Sequence, residues 1–179
     1  TGGYRSTFNQ SLPIYSDTPS LLNTYVFTKY NDFENITTSL SFFGNTINSL
    51  SDDDVRISKR VFMPERRLRG FEAGKIGPVD NNDFIGGNYA SSINFVANFP
   101  KILPTFQEIE FNYFIDAANV WGVDYSDTIA SSNEIRSSTG IALNWFTPIG
   151  PLNFSLAQAL TKASTDKTET FRFNIGTTF

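Results

Sequence analysis

The sequence predicts an all-β chain, a transmembrane antiparallel β-barrel, and three observations carry that expectation. Apolar and polar side chains alternate residue by residue in segment after segment, which gives each strand one greasy and one polar face. Aromatic residues make up 15% of the 179, with 18 Phe among them, yet the chain is polar on average. No window approaches the roughly 20 consecutive apolar residues of a spanning helix. Strands with lipid on one side and water or protein on the other fit all three, because a closed barrel pairs its backbone groups without help from solvent.

The rhythm runs through about eight segments of the kind such a barrel needs. Segments 4–15 and 21–31 alternate less cleanly, and the outward face of 21–31 stays undecided. In 36–43, Ile36, Thr38, Leu40 and Phe42 oppose Thr37, Ser39 and Ser41. In 89–99, Tyr89, Ser91, Ile93, Phe95, Ala97 and Phe99 oppose Ala90, Ser92, Asn94, Val96 and Asn98. In 108–117, Ile109, Phe111, Tyr113 and Ile115 oppose Glu108, Glu110, Asn112, Phe114 and Asp116, which suits a wet interior. In 135–146, Ile141, Leu143 and Trp145 oppose Gly140, Ala142 and Asn144; in 151–160, Leu152, Phe154 and Leu156 oppose Asn153, Ser155 and Ala157. The last segment, 170–179, sets Phe171, Phe173, Ile175, Thr177 and Phe179 against Arg172, Asn174, Gly176 and Thr178. It stops on an aromatic residue, where a soluble domain usually frays into a polar tail. Taken alone, that segment also fits a half-buried strand of a soluble sandwich.

The connections differ in kind. Thr147-Pro148-Ile149-Gly150-Pro151 reads as a tight turn through which neither strand can run, since proline fixes φ and lacks a donor. Residues 31–35 form another short turn. Segment 51–86 is long, charged and rich in Gly and Pro, and a loop of that length is usually functional or disordered. Residues 122–134 make a third, Asp- and Ser-rich connection. Trp121, Trp145, Tyr113 and Phe179 fall near strand ends, where barrels carry aromatic girdles. Thr1-Gly2-Gly3-Tyr4 offers neither a start Met nor a signal peptide, so the chain reads as a piece of a longer precursor.

Composition excludes several function classes. A formal net charge of −4 argues against a nucleic-acid surface, which should be basic. The absence of Cys removes disulfides and thiolate metal sites, and the absence of His removes the commonest general base and metal ligand. Asp52-Asp53-Asp54 lacks the spaced ligands and turn glycine of a Ca²⁺ loop. Glu108 and Glu110 lie two apart on one face, but nothing apolar would raise one pKa and no nucleophile accompanies them. Asp80 with Asp83, and Asp124 with Asp127, sit in loop sequence and receive no role. No catalytic residue, metal site or cofactor is expected.

Leu68-Arg69-Gly70-Phe71 resembles the arginine-glycine-phenylalanine signature in the long loop of the BamA family, outer-membrane proteins that assemble other β-barrels. The neighbours stand in the family's order. Ile76-Gly77-Pro78 resembles the loop's continuation, and Ile85-Gly86-Gly87-Asn88 the start of the next strand. Residues 114–121, Phe-Ile-Asp-Ala-Ala-Asn-Val-Trp, resemble a further family strand; 136–145 and 148–152 resemble the next strand and its turn. Asn174-Ile175-Gly176 and the terminal Phe179 complete the series. The resemblance is strong from about residue 66 onward, and weaker but collinear over 1–65.

It implies the C-terminal half of a bacterial outer-membrane barrel of about sixteen strands, with the first strands and N-terminal periplasmic domains upstream. The loop would fold into the lumen, where Arg69 reaches the acidic slot held here by Asp116, Gly70 allows a tight turn and Phe71 anchors the tip. Two positions depart from the pattern. Ala118 stands where the family strand carries Gly, and Asn94 where some members have a second acidic partner for the arginine. A solvated loop arginine is the plain alternative for Arg69. A lumen of about eight strands is filled by its own side chains, so such a small porin-like barrel could keep 51–86 only outside in water.

The function this implies is that of a non-enzymatic assembly factor. A seam between the first and last barrel strands would open toward lipid and pair with a client strand. Phe171, Phe173, Ile175, Gly176 and Phe179 would belong to the last strand, one side of that seam. The implied partners are unfolded outer-membrane clients, outer-membrane lipids and accessory lipoproteins reached through the upstream domains, with no nucleic acid. The alternatives are a related transporter of a particular passenger and a small porin-like structural barrel.

Overall fold

The computed structural model describes residues 2–13, 15, 17–100, 108–126, 129, 134–148 and 150–175. Eight long strands form one antiparallel sheet in chain order: β1 (Gly3–Ser11), β2 (Ser20–Phe33), β3 (Ile36–Ser49), β6 (Tyr89–Phe99), β7 (Ile109–Trp121), β8 (Arg136–Thr147), β9 (Gly150–Thr161) and β10 (Phe171–Ile175). Two short strands, β4 (Val79–Asp80) and β5 (Asp83–Phe84), pair with each other inside the long connection between β3 and β6. Each long strand pairs with its neighbours in sequence, so the sheet is an up-and-down meander with β1 and β10 at its edges. This is the all-β barrel-wall architecture that the alternation predicts.

The two faces divide as the two-residue period requires. Leu40, Phe42, Ile93, Ile115, Ile141 and Leu156 remain exposed on the outer face, the apolar band that a lipid-facing barrel wall carries. Ser92, Asn94, Asn112, Phe114 and Asp116 are buried on the other. Segment 21–31, undecided from sequence, turns Leu22 and Val26 inward, where they pack on the core. Its faces look mixed because the inner one meets protein rather than water.

Strand boundaries depart from the sequence reading in two instructive places. β3 runs on to Ser49, past residue 43, because both β2 and β6 continue its ladder and bury Ile47. Gly150 and Pro151 belong to β9 rather than to the turn, with Pro151 opposite Phe146. Proline is tolerated at the start of a strand, where the missing donor costs no inner ladder bond. Tyr113 lies inside β7 rather than at its end, while Trp121 closes β7 and stacks on Tyr89 at 5.8 Å.

The main hydrophobic core is not between sheets but between the sheet and its loop. Six of the eleven buried residues in the largest cluster come from the β3–β6 connection: Val55, Val61, Met63, Leu68, Phe71 and Ile76. Phe43, Ile47, Ala90, Ala118 and Val120 meet them from the wall. Burying each large side chain contributes about 1.5–3 kcal/mol, so this loop is held as firmly as an ordinary core element. Ala118, where the resemblance expects glycine, is itself a core member.

Candidate functional site: a loop docked on the barrel wall

Locally the loop tip is built for close contact. A single 3-10 turn, Glu65–Arg67, leads into buried Leu68, and Gly70 then adopts φ +87°. A Cβ at Gly70 would lie 3.1 Å from the Ala157 Cβ and 3.3 Å from the Ser138 Cβ. The position therefore demands glycine twice over, for its backbone angle and for its approach to the wall. Phe71 follows at 2% exposure, locked in the core.

Arg69 lies on Asp116 of β7. Its Nε donates to Oδ2 at 2.8 Å, its Nη2 to Oδ1 at 2.8 Å, and its backbone N–H to Oδ2 at 3.1 Å. The guanidinium also stacks 3.5 Å above the ring centre of fully buried Phe114. Asn94 is not a second anion for the arginine. Its Nδ2 donates to Asp116 Oδ1 at 2.8 Å and to the Arg67 carbonyl at 2.7 Å, while Ser92 Oγ donates to its Oδ1 at 3.0 Å. Asp116, with no solvent exposure, thus takes four N–H donors, which is about the full capacity of a carboxylate. Bidentate pairing of this kind is directional as well as strong.

Further contacts extend the docking. Arg67 donates to Ser41 Oγ at 2.9 Å and stacks on Phe43. Nearer the loop's start, Arg60 pairs with Asp124 of the β7–β8 connection, and the Val55 N–H donates to the same carboxylate at 2.9 Å. Burial pushes the Asp124 carboxyl up, but the Val55 N–H, the Asn88 side chain and Arg60 together hold it below its ordinary value. On β8, Arg136 is wholly buried and bidentate with Asp166 of the β9–β10 connection, at 2.8 and 3.1 Å, and it also reaches Asn119.

On β10, Phe171, Phe173 and Ile175 face outward, with Phe173 stacked on Phe154 at 4.8 Å. Gly176 and Phe179 lie outside the described residues. Below the loop is a cavity of about 1050 Å³ lined by residues that include Arg66, Glu110, Asn144, Asn153 and Arg172. Its chemistry is that of a polar vestibule. Among the described residues no group of three His, Cys, Asp or Glu could hold a metal.

Sequence reasoning singled out Arg69 and Asp116, and the structure brings them together. It gave Asp124 no role, where the structure pairs it with Arg60, and it did not single out Arg60, Arg136, Asp166 or Arg172. The available signal was phase: Arg136 and Arg172 share the inward register of their strands, where an unpaired arginine would be costly.

The profile of the Omp85 superfamily domain matches residues 1–179, the whole chain. The chain belongs to the Omp85 superfamily. The outer membrane protein assembly factor BamA of Neorickettsia risticii (strain Illinois) is 31% identical over 144 residues, taking in 79% of this chain and 19% of that protein. The BamA of Neisseria meningitidis serogroup B is 30% identical over 141 residues, with 63% and 17% covered. The crystal structure of BamA from Haemophilus ducreyi lacking POTRA domains 1–3 superposes with a TM-score of 0.79 at 28% identity, over 94% of this chain and 37% of that one. This Omp85 chain thus spans about a fifth of the length of the curated relatives it matches. It is a BamA-like outer-membrane β-barrel chain of the Gram-negative type, and its exposed apolar band is the surface that such a membrane covers.

Proposed function

We propose that this chain is the C-terminal part of the barrel of an outer-membrane protein assembly factor, a non-enzymatic insertase. Upstream barrel strands and periplasmic domains would complete it. The observation that supports this most is the docked loop. A long connection is turned onto the inner wall and held there by a saturated Arg69–Asp116 pair, and β10 is the last strand of the sheet, where the resemblance puts one side of a seam whose opening would free a backbone edge. In a lipid medium such an edge is costly unless paired. A client strand can supply that pairing by β-augmentation, so the seam at β10 is the lateral gate and Phe171, Phe173, Ile175, Gly176 and Phe179 belong to its side. Arg69, Gly70 and Phe71 keep the loop in the lumen during this exchange. The partners are unfolded outer-membrane proteins, the surrounding lipids and accessory lipoproteins bound through the upstream domains; no nucleotide or metal is needed because client folding supplies the driving force.

The test is a double-mutant cycle in the full-length parent in its outer membrane: Arg69→Met, Asp116→Asn and both together. Client barrel assembly and protease resistance of residues 51–86 are the readouts. Each single change is expected to impair both, and the double to be no worse than the more severe single. A silent Arg69→Met would overturn the role of the docked loop. Depletion of the parent should reduce many outer-membrane barrels together; loss of a single exported passenger would instead identify a transporter.

A further inference from the structure

The loop tip does not touch the wall alone; it also pairs with the segment that leads into the last strand. Phe71 forms a β-bridge with Thr168. The Glu72 N–H donates to the Lys167 carbonyl at 3.0 Å, the Lys167 N–H to the Lys75 carbonyl at 3.1 Å, and the Glu169 N–H to the Gly70 carbonyl at 3.1 Å. These bonds make the tip a short added strand along residues 167–169.

Arg172, the inward residue of β10, completes the join. Its Nη2 donates to the Phe71 carbonyl at 2.6 Å and to Glu169 Oε2 at 2.7 Å, and its Nη1 to the Glu65 carbonyl at 3.3 Å. One guanidinium thus holds both ends of the loop tip and the approach to β10. The preceding connection is pinned separately, by the buried Arg136–Asp166 pair.

We infer that Arg172 is a positioning residue that couples docking of the 65–75 loop tip to seating of β10, so that the two are released together. The strand cannot swing from its place without surrendering the Phe71 carbonyl, and the loop cannot leave without taking the Phe71 and Glu65 carbonyls from Arg172, which then keeps only Glu169. Coupling of this kind is reciprocal: whatever loosens one partner loosens the other by the same factor. The consequence for client insertion rests on the gate reading above. Loop docking would set how readily the seam opens.

Amide hydrogen exchange on the full-length parent in lipid nanodiscs tests this, with wild type, Arg172→Met, Arg172→Lys and Arg69→Met compared. Loss of a charged hydrogen bond to a carbonyl predicts about tenfold faster exchange at residues 70–75 in Arg172→Met. The decisive variant is Arg69→Met. Its side chain bonds to Asp116 on β7, three strands from β10, yet exchange at 171–175 should rise with that of the loop. Arg172→Lys keeps the charge without the fork and should fall between, and it serves also if Arg172→Met does not reach the membrane. Faster loop exchange in Arg69→Met with β10 unchanged would overturn the coupling, as would wild-type exchange in both segments of Arg172→Lys. Exchange reads the coupling whether or not clients are assembled. If the two segments move together while assembly is untouched, the coupling stands and the gate reading falls.

Discussion

The long loop is fastened by two arginine–aspartate pairs at different depths, and they are not equivalent. At the inner one, Asp116 has no solvent exposure and takes four donors, and Arg69 lies flat on Phe114. At the outer one, the Asp124 side chain keeps 28% exposure, and Nε and Nη1 of Arg60 find no protein acceptor. The same two residue types therefore make a saturated lock in one place and, in the other, a clasp in which a buried Arg60 meets a carboxylate that stays partly solvated. What separates them is how completely each carboxylate has been cut off from water, because that decides what is left behind when the arginine goes.

Truncating each arginine breaks the comparison open. Arg69→Met leaves a buried carboxylate with only the Asn94 amide and a backbone N–H, and the loop should lose about 3–5 kcal/mol of docking stability. Arg60→Met leaves Asp124 free to take up water and should cost about 1 kcal/mol or less. Limited proteolysis at 51–86 under increasing denaturant ranks the two, and equal losses would erase the distinction. Gly70→Ala falls between the two in size. A positive φ and the tight approach to Ala157 and Ser138 predict about 1–3 kcal/mol, felt at the inner attachment and not at Val55.

The smallest effect is the response to pH at the outer clasp. Asp124 titrates below its ordinary range when folded, so its stabilisation is fully present above the unfolded value of about 3.9 and drains away as pH falls below that. Cleavage near residues 52–60 should be constant from pH 7 to about pH 5 and rise only below about pH 4. Asp124→Asn should abolish that rise. A transition near neutrality would contradict the assignment.

Much of this was legible along the chain. Alternation placed Ile93, Ile115, Ile141 and Leu156 outside and Asn94, Asn112 and Asp116 inside, as found, because lipid and lumen impose a strict two-residue period. Where the inner face meets the loop instead of water, the period blurs, which is why Leu22 and Val26 of β2 could not be assigned. Proline at 151 misled for a local reason: its missing donor bars an inner ladder bond but not a position at the start of a strand.

The partners of the arginines were a different matter. Arg60 meets Asp124 across 64 residues, Arg136 meets Asp166 across 30, and Arg172 meets the Phe71 carbonyl across 101. By itself the sequence determined which side chains of 36–43 and of the strands from 89 onward face lipid, roughly where the chain turns, and that it carries no His or Cys for catalysis or metal binding. Only the tertiary structure decided which carboxylate each buried arginine meets and that the loop tip is joined to the last strand. Facing is a property of neighbouring residues, whereas pairing depends on strand register and on the path of a loop, and neither is written in any local pattern.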